Sequence, residues 1–296
     1  MASTGVYTTL LQTAGFTPKS WSNEVLMAAS NRSVTRNYVR QYAFPPGYEL
    51  TIPKINVPTA EVETRNVATT DGDEGTTVGL VTIDTTGPSI TPTFAHATYQ
   101  VPFMSRNEVQ RNAGMWLGAM KAASAQAIGV KIDATILALY SGFNGGTAID
   151  ATAGLTWDKI VEARQVLEDN NAPGPYNLFL HSKQFTAAMG IAEIKAASGL
   201  GASANFNASS VEHSGIWIPA IDLRIIFSGN VTQTGGEDKN LMFSGEGIGL
   251  AFIDELRMEE EHSVQKASDF LMTYSDFGAG ELHDGYGVAL ETTTPV

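Results

Sequence analysis

The residues best suited to chemistry in this 296-residue chain are five histidines and a few glycine-rich or acidic runs. Cysteine is absent, which excludes a disulfide framework, a thiolate metal site and a thiol nucleophile. No two histidines have the H-x-x-x-H spacing that presents two metal ligands from one helix face. We therefore predict surface or interface histidines and no metal site. The histidines are His96, His181, His213, His262 and His283.

Three short sequences resemble parts of catalytic or nucleotide-binding sites. His181-Ser182 pairs a base with a hydroxyl, but no acid lies nearby in sequence to orient the histidine. The glycine-rich loop 245–249 has its third glycine one position early for a G-x-G-x-x-G fingerprint, and no long helix is predicted after it. Glu259-Glu260-Glu261 could hold a cation weakly, although such a run more commonly forms a solvated surface. We predict no catalytic residue and no cofactor.

The net charge of −13 is unevenly distributed along the chain. Residues 1–46 hold four bases and one acid, a net charge of +3. Residues 47–105 hold seven acids and two bases, a net charge of −5, and residues 250–296 hold ten acids and two bases, a net charge of −8. A nucleic-acid-binding domain usually has a basic footprint. We therefore predict no sequence-specific nucleic-acid binding.

The charge separation has two interpretations. The more common one is a solvated acidic surface. In the other, a basic N-terminal arm lies on an acidic surface of a neighbouring copy, where opposite charges fix the register. The second interpretation predicts interface residues in the arm and in an acidic turn. They are Arg32, Arg36, Arg40, Asp71, Asp73 and Glu74.

The first 104 residues have the pattern of an arm followed by a long hairpin. A polar stretch precedes a short amphipathic helix predicted near residues 18–30. Residues 34–42 fit a strand or a helix, and the pattern does not decide between them. From residue 46 to 104 apolar and polar residues alternate as in strands, with a strong turn signal at Asp71–Gly75. A two-stranded ribbon is marginal alone, so we expect this hairpin to lie on another surface.

The clearest helical pattern runs from about Arg106 to Tyr140, a stretch with no proline and with apolar residues three or four positions apart. A helix of this length would span roughly 50 Å, as a spine through a large subunit does. No run of about 18 consecutive apolar residues occurs, so we predict no membrane-spanning helix. The N-terminal Met1–Tyr7 has no signal-peptide pattern.

The rest of the chain alternates between helical and strand patterns, as a mixed α/β domain does. Thr156 is predicted to cap a helix, which ends before Asn170. A buried strand is predicted at Tyr176–Leu180, and Ser182 begins another helix. Several strands follow, up to a last one at Tyr286–Leu290.

The order of the elements, together with two short sequences, carries a resemblance to a known family that no single element carries by itself. Near the end of the long helix stand Ala127, Asp133 and Leu137, and Asn171-Ala172-Pro173 precedes the buried strand. With the order of arm, hairpin, long helix and α/β segment, they make the chain similar over nearly its whole length to the HK97-type major capsid proteins of tailed bacteriophages.

The resemblance implies an α+β, HK97-like capsid fold in four parts. Residues 1–45 would be the N-terminal arm and residues 46–104 the long β-hairpin, called the E-loop in this family. Residues 105–146 and 244–296 would form the peripheral domain with its spine helix. Residues 147–243 would form the axial α/β domain.

The resemblance also implies a function and partners. The chain would be a non-enzymatic subunit that assembles as hexamers and pentamers into an icosahedral shell around the phage genome. It would be found in the virion after assembly in the host cytoplasm. A portal and a separate scaffolding protein are implied, with room for a decoration protein. Some family members cross-link through an E-loop lysine, but no lysine lies between Lys54 and Lys121, so we expect a non-covalent shell.

Two alternatives stay open at this point. An encapsulin-like compartment subunit would share the fold and enclose protein cargo. An α/β enzyme would use the glycine-rich loop 245–249. A stable monomer or dimer under all conditions would contradict both shell interpretations.

Overall fold

A computed structural model of the chain describes residues 34–43, 50–52, 88–102, 113–194, 215–263, 265–266 and 268–295. Their contacts define two compact units. Of the described residues, the first unit takes those within Ala97–Ala127 and Met258–Thr273. The second takes the remainder. The predicted helix near residues 18–30 and the acidic turn Asp71–Gly75 lie outside the described residues.

The architecture is mixed α+β. The α-helices are α1 Ala113–Leu137, α2 Trp157–Asp169 and α3 Phe185–Gly190. The strands are β1 Arg40–Ala43, β2 Leu50–Thr51, β3 Ser89–Ile90, β4 Thr93–Pro102, β5 Ile149–Ala151, β6 Tyr176–His181, β7 Ile216–Ile218, β8 Leu223–Ser228, β9 Thr232–Thr234, β10 Glu237–Ser244, β11 Ile248–Ser263, β12 Ser268–Glu281 and β13 Gly287–Thr293. Short 3₁₀ turns occur at Thr35–Tyr38, Ala138–Ser141, Phe143–Gly146, Ser182–Gln184, Pro219–Ile221 and Asp284–Tyr286.

The second unit is built on a seven-stranded sheet in the order β5-β13-β10-β6-β8-β7, with β9 paired to β10. β10 runs antiparallel to both β13 and β6, and β6 runs parallel to β8. All six residues of β6 are buried, as expected for a strand in the interior of a covered sheet. The predicted strand at Tyr176–Leu180 is therefore confirmed.

Helix α2 covers this sheet with an apolar stripe. Ile160, Ala163 and Leu167 are fully buried and share one core with sheet residues such as Leu178 and Leu290. Their spacing of three and four residues puts them on one helix face. The helix begins after Thr156 as predicted, but the Thr156 side chain makes no capping hydrogen bond.

The C-terminal strand lies within the seven-stranded sheet, where β13 pairs with β10 and runs parallel to β5. The resemblance groups residues 244–296 with the long helix as a peripheral domain, and that grouping stays a prediction. Val288, Ala289 and Leu290 are buried there. Strand partners far apart in sequence leave no local pattern, which is why this pairing could not be predicted.

A second sheet has four strands in the order β1-β11-β12-β4. β1 runs parallel to β11, with Arg40 opposite Gly249 and Ala43 opposite Phe252. The segment that fitted both strand and helix is in fact both, since the 3₁₀ turn Thr35–Tyr38 leads into β1. β2 and β3 form a separate antiparallel pair, with Leu50 opposite Ile90. Of the predicted hairpin 46–104, residues 46–49, 53–87 and 103–104 lie outside the described residues.

The long helix is confirmed over Ala113–Leu137 and continues as a 3₁₀ turn to Ser141. By length and composition alone, the stretch Gly118–Ser141 could cross a membrane, and the absence of a membrane-spanning helix stays a prediction. Core helices of soluble proteins pass the same test. In this helix Ile128, Ile132, Ile136 and the acid Asp133 are all buried against protein.

Candidate functional site

The segment Val34–Ala43, named here the arm root, is the part of the predicted arm that the structure describes. Val34, Thr35 and Val39 are buried. The arm root is held to the second unit by a buried carboxylate, by aromatic rings and by strand pairing. It includes two of the predicted interface residues, Arg36 and Arg40.

The buried carboxylate belongs to Asp133 of α1, which has no exposed surface. Its Oδ2 accepts hydrogen bonds from the Val34 N–H at 2.6 Å and from Asn230 Nδ2 at 3.1 Å. Its Oδ1 accepts from the Thr35 N–H at 3.1 Å and from Thr35 Oγ1 at 2.6 Å. A buried carboxylate is tolerated where hydrogen-bond donors replace water, and here four donors do so.

The aromatic contacts centre on Tyr38. Its ring meets Phe179 of β6 edge-on at 5.7 Å between centroids, and Phe179 stacks on Phe243 of β10 at 5.5 Å. The Arg224 guanidinium lies 5.3 Å from the Tyr38 ring and 5.6 Å from the Trp217 ring, within cation–π range. Tyr38 thus joins the arm root to the seven-stranded sheet.

The two described arginines of the predicted interface have partners within the chain. The Arg36 guanidinium lies 4.7 Å from the centroid of the Phe252 ring. Arg40 lies over Tyr42 at 5.5 Å and forms a loose ion pair with Glu246 at 4.0 Å. The Arg40 and Glu246 side chains are 55% and 57% exposed, so neither is committed to this pair. Contact with a neighbouring copy stays a prediction.

The other predicted interface residues cannot be placed. Arg32, Asp71, Asp73 and Glu74 all lie outside the described residues. The structure therefore does not bring the arm arginines and the acids of the turn together, nor does it separate them.

The base of the predicted hairpin is fixed by an apolar contact. Ile90 of β3 is fully buried with Ala251 and Leu282, and Tyr42, Leu50 and Ile52 pack against them. Three glycines allow Ile90 to lie directly on the β11 and β12 backbones. A Cβ placed on Gly278 would lie 2.6 Å from the Thr91 carbonyl oxygen, and Cβ atoms on Gly249 and Gly280 would lie 2.9 and 3.0 Å from the Ile90 side chain.

The glycine-rich loop and the acidic run, which the sequence suggested for chemistry, are explained by close packing and by proximity of opposite charges. Loop 245–249 forms the turn from β10 into β11 and leads into a strand, whereas a dinucleotide fingerprint leads into a helix. A Cβ on Gly247 would lie 2.9 Å from the Tyr286 carbonyl oxygen, so close packing explains this glycine. Among the described residues, no group of three histidines or acids could hold a metal ion. In the first unit, Glu260 lies 3.9 Å from Lys121.

His181 and Asp238 belong to a buried polar cluster. His181 Nδ1 accepts the Lys183 N–H at 3.2 Å. Burial lowers the pKa of His181, Asp238 opposes this shift and Lys183 adds to it. Burial by itself would raise the pKa of Asp238, but hydrogen bonds from Gln233, Thr294 and Gln184 and the charge of His181 lower it overall. The three donor–acceptor distances are 2.6 to 2.7 Å. Asp238 lies on β10 in the interior of the sheet and is fully buried, so it offers no surface to a substrate.

Sequence reasoning did not find the residues that fix the arm root and the hairpin base. Asp133 stands out as an acid within an apolar helical stretch, which is a usable signal. Ile90 and the glycines around it carry no such signal, because glycine is equally typical of turns.

Comparison with known proteins gives structural matches only. No family model and no curated protein matches the chain. A solved structure from Mycobacterium phage Che8 is 17% identical with a TM-score of 0.65, and the match covers 93% of this chain and 97% of that one. The capsid of a native GTA particle is 10% identical with a TM-score of 0.63, covering 94% and 96%. The capsid of Myoviridae phage XM1 is 12% identical with a TM-score of 0.60, covering 93% and 96%. The chain therefore has the fold of these phage and GTA-particle structures.

Proposed function

We propose that this chain is the major capsid protein of a tailed bacteriophage, which assembles with many copies of itself into the shell around the genome. The observation that carries the proposal is the fold match, which extends over more than nine-tenths of this chain and of the XM1 and GTA capsid chains. A match of this extent is not confined to one element or one subdomain. It favours a shared architecture over a shared subdomain.

The finer HK97-type features follow on this proposal. Residues 1–45 are the N-terminal arm, residues 46–104 are the E-loop, and α1 is the spine helix of the peripheral domain. The seven-stranded sheet is the core of the axial domain, with β13 added to the predicted range 147–243. The β2–β3 pair and the buried Ile90 support this assignment, since they bring two parts of the proposed E-loop, residues 50–51 and 89–90, together as antiparallel strands.

A structural, non-enzymatic role is supported by what the candidate chemical residues do. The glycine-rich loop is a packed strand-to-strand turn, and His181 and Asp238 are buried in a polar cluster. None of these groups is presented together with a second reactive group on an open surface. The enzyme alternative therefore has no observation in its favour.

Contacts between copies are proposed to involve the basic arm and the acidic hairpin turn. In the basic arm the residues are Arg32, Arg36 and Arg40. In the acidic turn they are Asp71, Asp73 and Glu74. Changing the three acids together to lysine should leave the subunit folded by circular dichroism and reduce particle yield. Wild-type particle yield from this variant would contradict the role of the turn.

The decisive test of the function is the assembly state of the full-length chain. We expect hexamers, pentamers or closed shells in sedimentation velocity and negative-stain microscopy. A monomer or dimer at all concentrations, including on co-expression with a candidate scaffolding protein, would overturn the proposal. Particles from the natural source that enclose protein cargo instead of DNA would favour the encapsulin-like compartment.

The virion location, assembly in the host cytoplasm, and the portal, scaffolding and decoration partners follow from the same proposal. Pull-down of the tagged chain from infected cells, followed by mass spectrometry, tests them together. We expect a portal and a scaffolding protein among the captured proteins. Their absence from captured assembly intermediates would contradict this part of the proposal.

A further inference from the structure

Asp133 connects parts of the chain that are far apart in sequence. Its hydrogen-bonding partners include Val34 and Thr35, which precede it by 99 and 98 residues, and Asn230, which follows it by 97. Val34 and Thr35 belong to the predicted N-terminal arm, residues 1–45. The carboxylate therefore binds this part of the predicted arm to α1 and to Asn230.

The bonding pattern at Asp133 requires a carboxylate. Each carboxylate oxygen receives two donors, and a carboxylate has acceptor sites on both oxygens and no proton to donate. An asparagine of the same shape would turn an N–H₂ group towards two of the donors. Bonds from neutral donors to a charged acceptor are also about twice as strong as neutral ones.

Val34 and Thr35 are themselves buried, and further contacts hold the rest of the arm root. Arg36 packs on Phe252, Tyr38 packs on Phe179, and β1 pairs with β11 from Arg40 onwards. Among the described residues, the side-chain acceptor for Val34 and Thr35 is Asp133. Loss of the carboxylate should free these two residues while β1 stays paired.

We propose that Asp133 is a positioning residue that fixes the departure point of the N-terminal arm, and that assembly requires this anchorage. This inference rests on the proposed capsid function. An arm that must reach a neighbouring copy loses less conformational freedom on contact when its starting point is already fixed. Asp133 therefore lowers the entropic cost of each arm contact without touching the neighbour.

Limited trypsin digestion tests the anchorage itself. Asp133→Asn should raise the rate of cleavage after Arg36 at least tenfold, because a protease needs the backbone around the cut to be locally free. Cleavage after Arg164, in the middle of α2, is the internal control and should not change. Unchanged protection of Arg36 would overturn the anchorage, and equal acceleration at Arg164 would show general unfolding instead.

A milder pair of variants keeps the anchorage testable if the Asp133→Asn protein fails to fold. Thr35→Val keeps the shape of a fully buried side chain and removes the 2.6 Å hydroxyl bond, whereas Thr35→Ser keeps the hydroxyl. We expect faster Arg36 cleavage in Thr35→Val and near wild-type protection in Thr35→Ser. Identical behaviour of the two variants would show that the carboxylate bond does not hold the arm root.

Sedimentation of the same variants tests the link to assembly. We expect Asp133→Asn and Thr35→Val to reduce the particle fraction at least fivefold and Thr35→Ser to retain it. Wild-type particle yield from a variant with exposed Arg36 would overturn the positioning role. If the wild-type chain forms no particles, the capsid function fails, while the Arg36 comparison still decides whether Asp133 anchors the arm root.

Discussion

Two segments of this chain are fixed to the second unit in opposite ways. Val34 and Thr35 are held by three directional hydrogen bonds to one buried carboxylate, that of Asp133, which also accepts a bond from Asn230. Ile90, at the base of the predicted hairpin, is held by apolar contact with backbone that glycines leave uncovered. Each anchor lies within a predicted extended segment, the arm or the hairpin, so the two do similar work with different chemistry.

The difference lies in what each anchor can tolerate. Hydrogen bonds to a carboxylate fail when the acceptor or a donor changes type, even at constant volume. An apolar contact on glycine does not depend on charge, but it fails when side-chain volume is removed or added. The Asp133 anchor should therefore respond to charge, and the Ile90 anchor to volume.

The largest expected effect comes from a change of charge at constant shape. Asn230→Asp would place a second carboxylate beside Asp133, where Asn230 Nδ2 now lies 3.1 Å from Oδ2. We expect a loss of roughly 3–5 kcal/mol in the free energy of unfolding at about pH 7, as for other uncompensated buried charges. The measurement is urea-induced unfolding, with the exposed Asn171→Asp as the matched control.

The same variant has a predictable pH dependence. Two adjacent carboxylates raise the pKa of one of the pair in the folded state. A raised folded-state pKa stabilises the protein below that pKa and destabilises it above, so the deficit of Asn230→Asp should shrink as the pH falls from about 7 to about 5. A deficit independent of pH would contradict a charge-based anchor.

Removal of volume is the corresponding test of the apolar anchor. Ile90→Ala deletes a fully buried side chain, and we expect a loss of about 3 kcal/mol because the glycine-lined backbone cannot collapse into the cavity. Ile253→Ala makes the same change at a side chain that is 40% exposed and should cost less than about 1 kcal/mol. Equal losses in the two variants would show that Ile90 is not an anchor.

Addition of volume should also weaken the apolar anchor, by a smaller amount. A Cβ on Gly278 would meet the Thr91 carbonyl oxygen, which cannot rotate away as a side chain could. We expect Gly278→Ala to cost about 2 kcal/mol in urea unfolding. In Gly118→Ala the new methyl meets nothing within 4 Å, and the helix α1 should gain up to about 1 kcal/mol. A neutral Gly278→Ala would contradict close packing at this site.

The elements that sequence patterns predicted are those that depend on local periodicity. α2 and β6 lie where apolar spacing placed them, and α1 occupies the middle of the predicted long helix. The place of β13 between β5 and β10 depends on a partner that starts 50 residues earlier, at Glu237. Periodicity describes which face of a strand is buried and does not identify the neighbouring strand.

The two anchors were unequally visible in the sequence. Asp133 is an acid in an apolar helix and so indicates a buried polar contact, but two of its four donors are backbone N–H groups, which every residue other than proline has. No residue type could indicate Val34 and Thr35 as the source. Similarly, Gly249, Gly278 and Gly280 are indistinguishable from turn glycines until the position of Ile90 is known.

The smallest expected effect on stability distinguishes contacts within the subunit from contacts between copies. Arg40 and Glu246 form an exposed, loose pair, so Arg40→Glu should change the free energy of unfolding by less than about 0.5 kcal/mol. If Arg40 contacts a neighbouring copy, this variant should nevertheless lose particle yield in sedimentation. The double variant Arg40→Glu with Glu246→Arg restores the attraction within the subunit and keeps the reversed charge at position 40. We expect its particle yield to stay low, whereas a yield restored to the wild-type level would show that Arg40 acts through Glu246 alone.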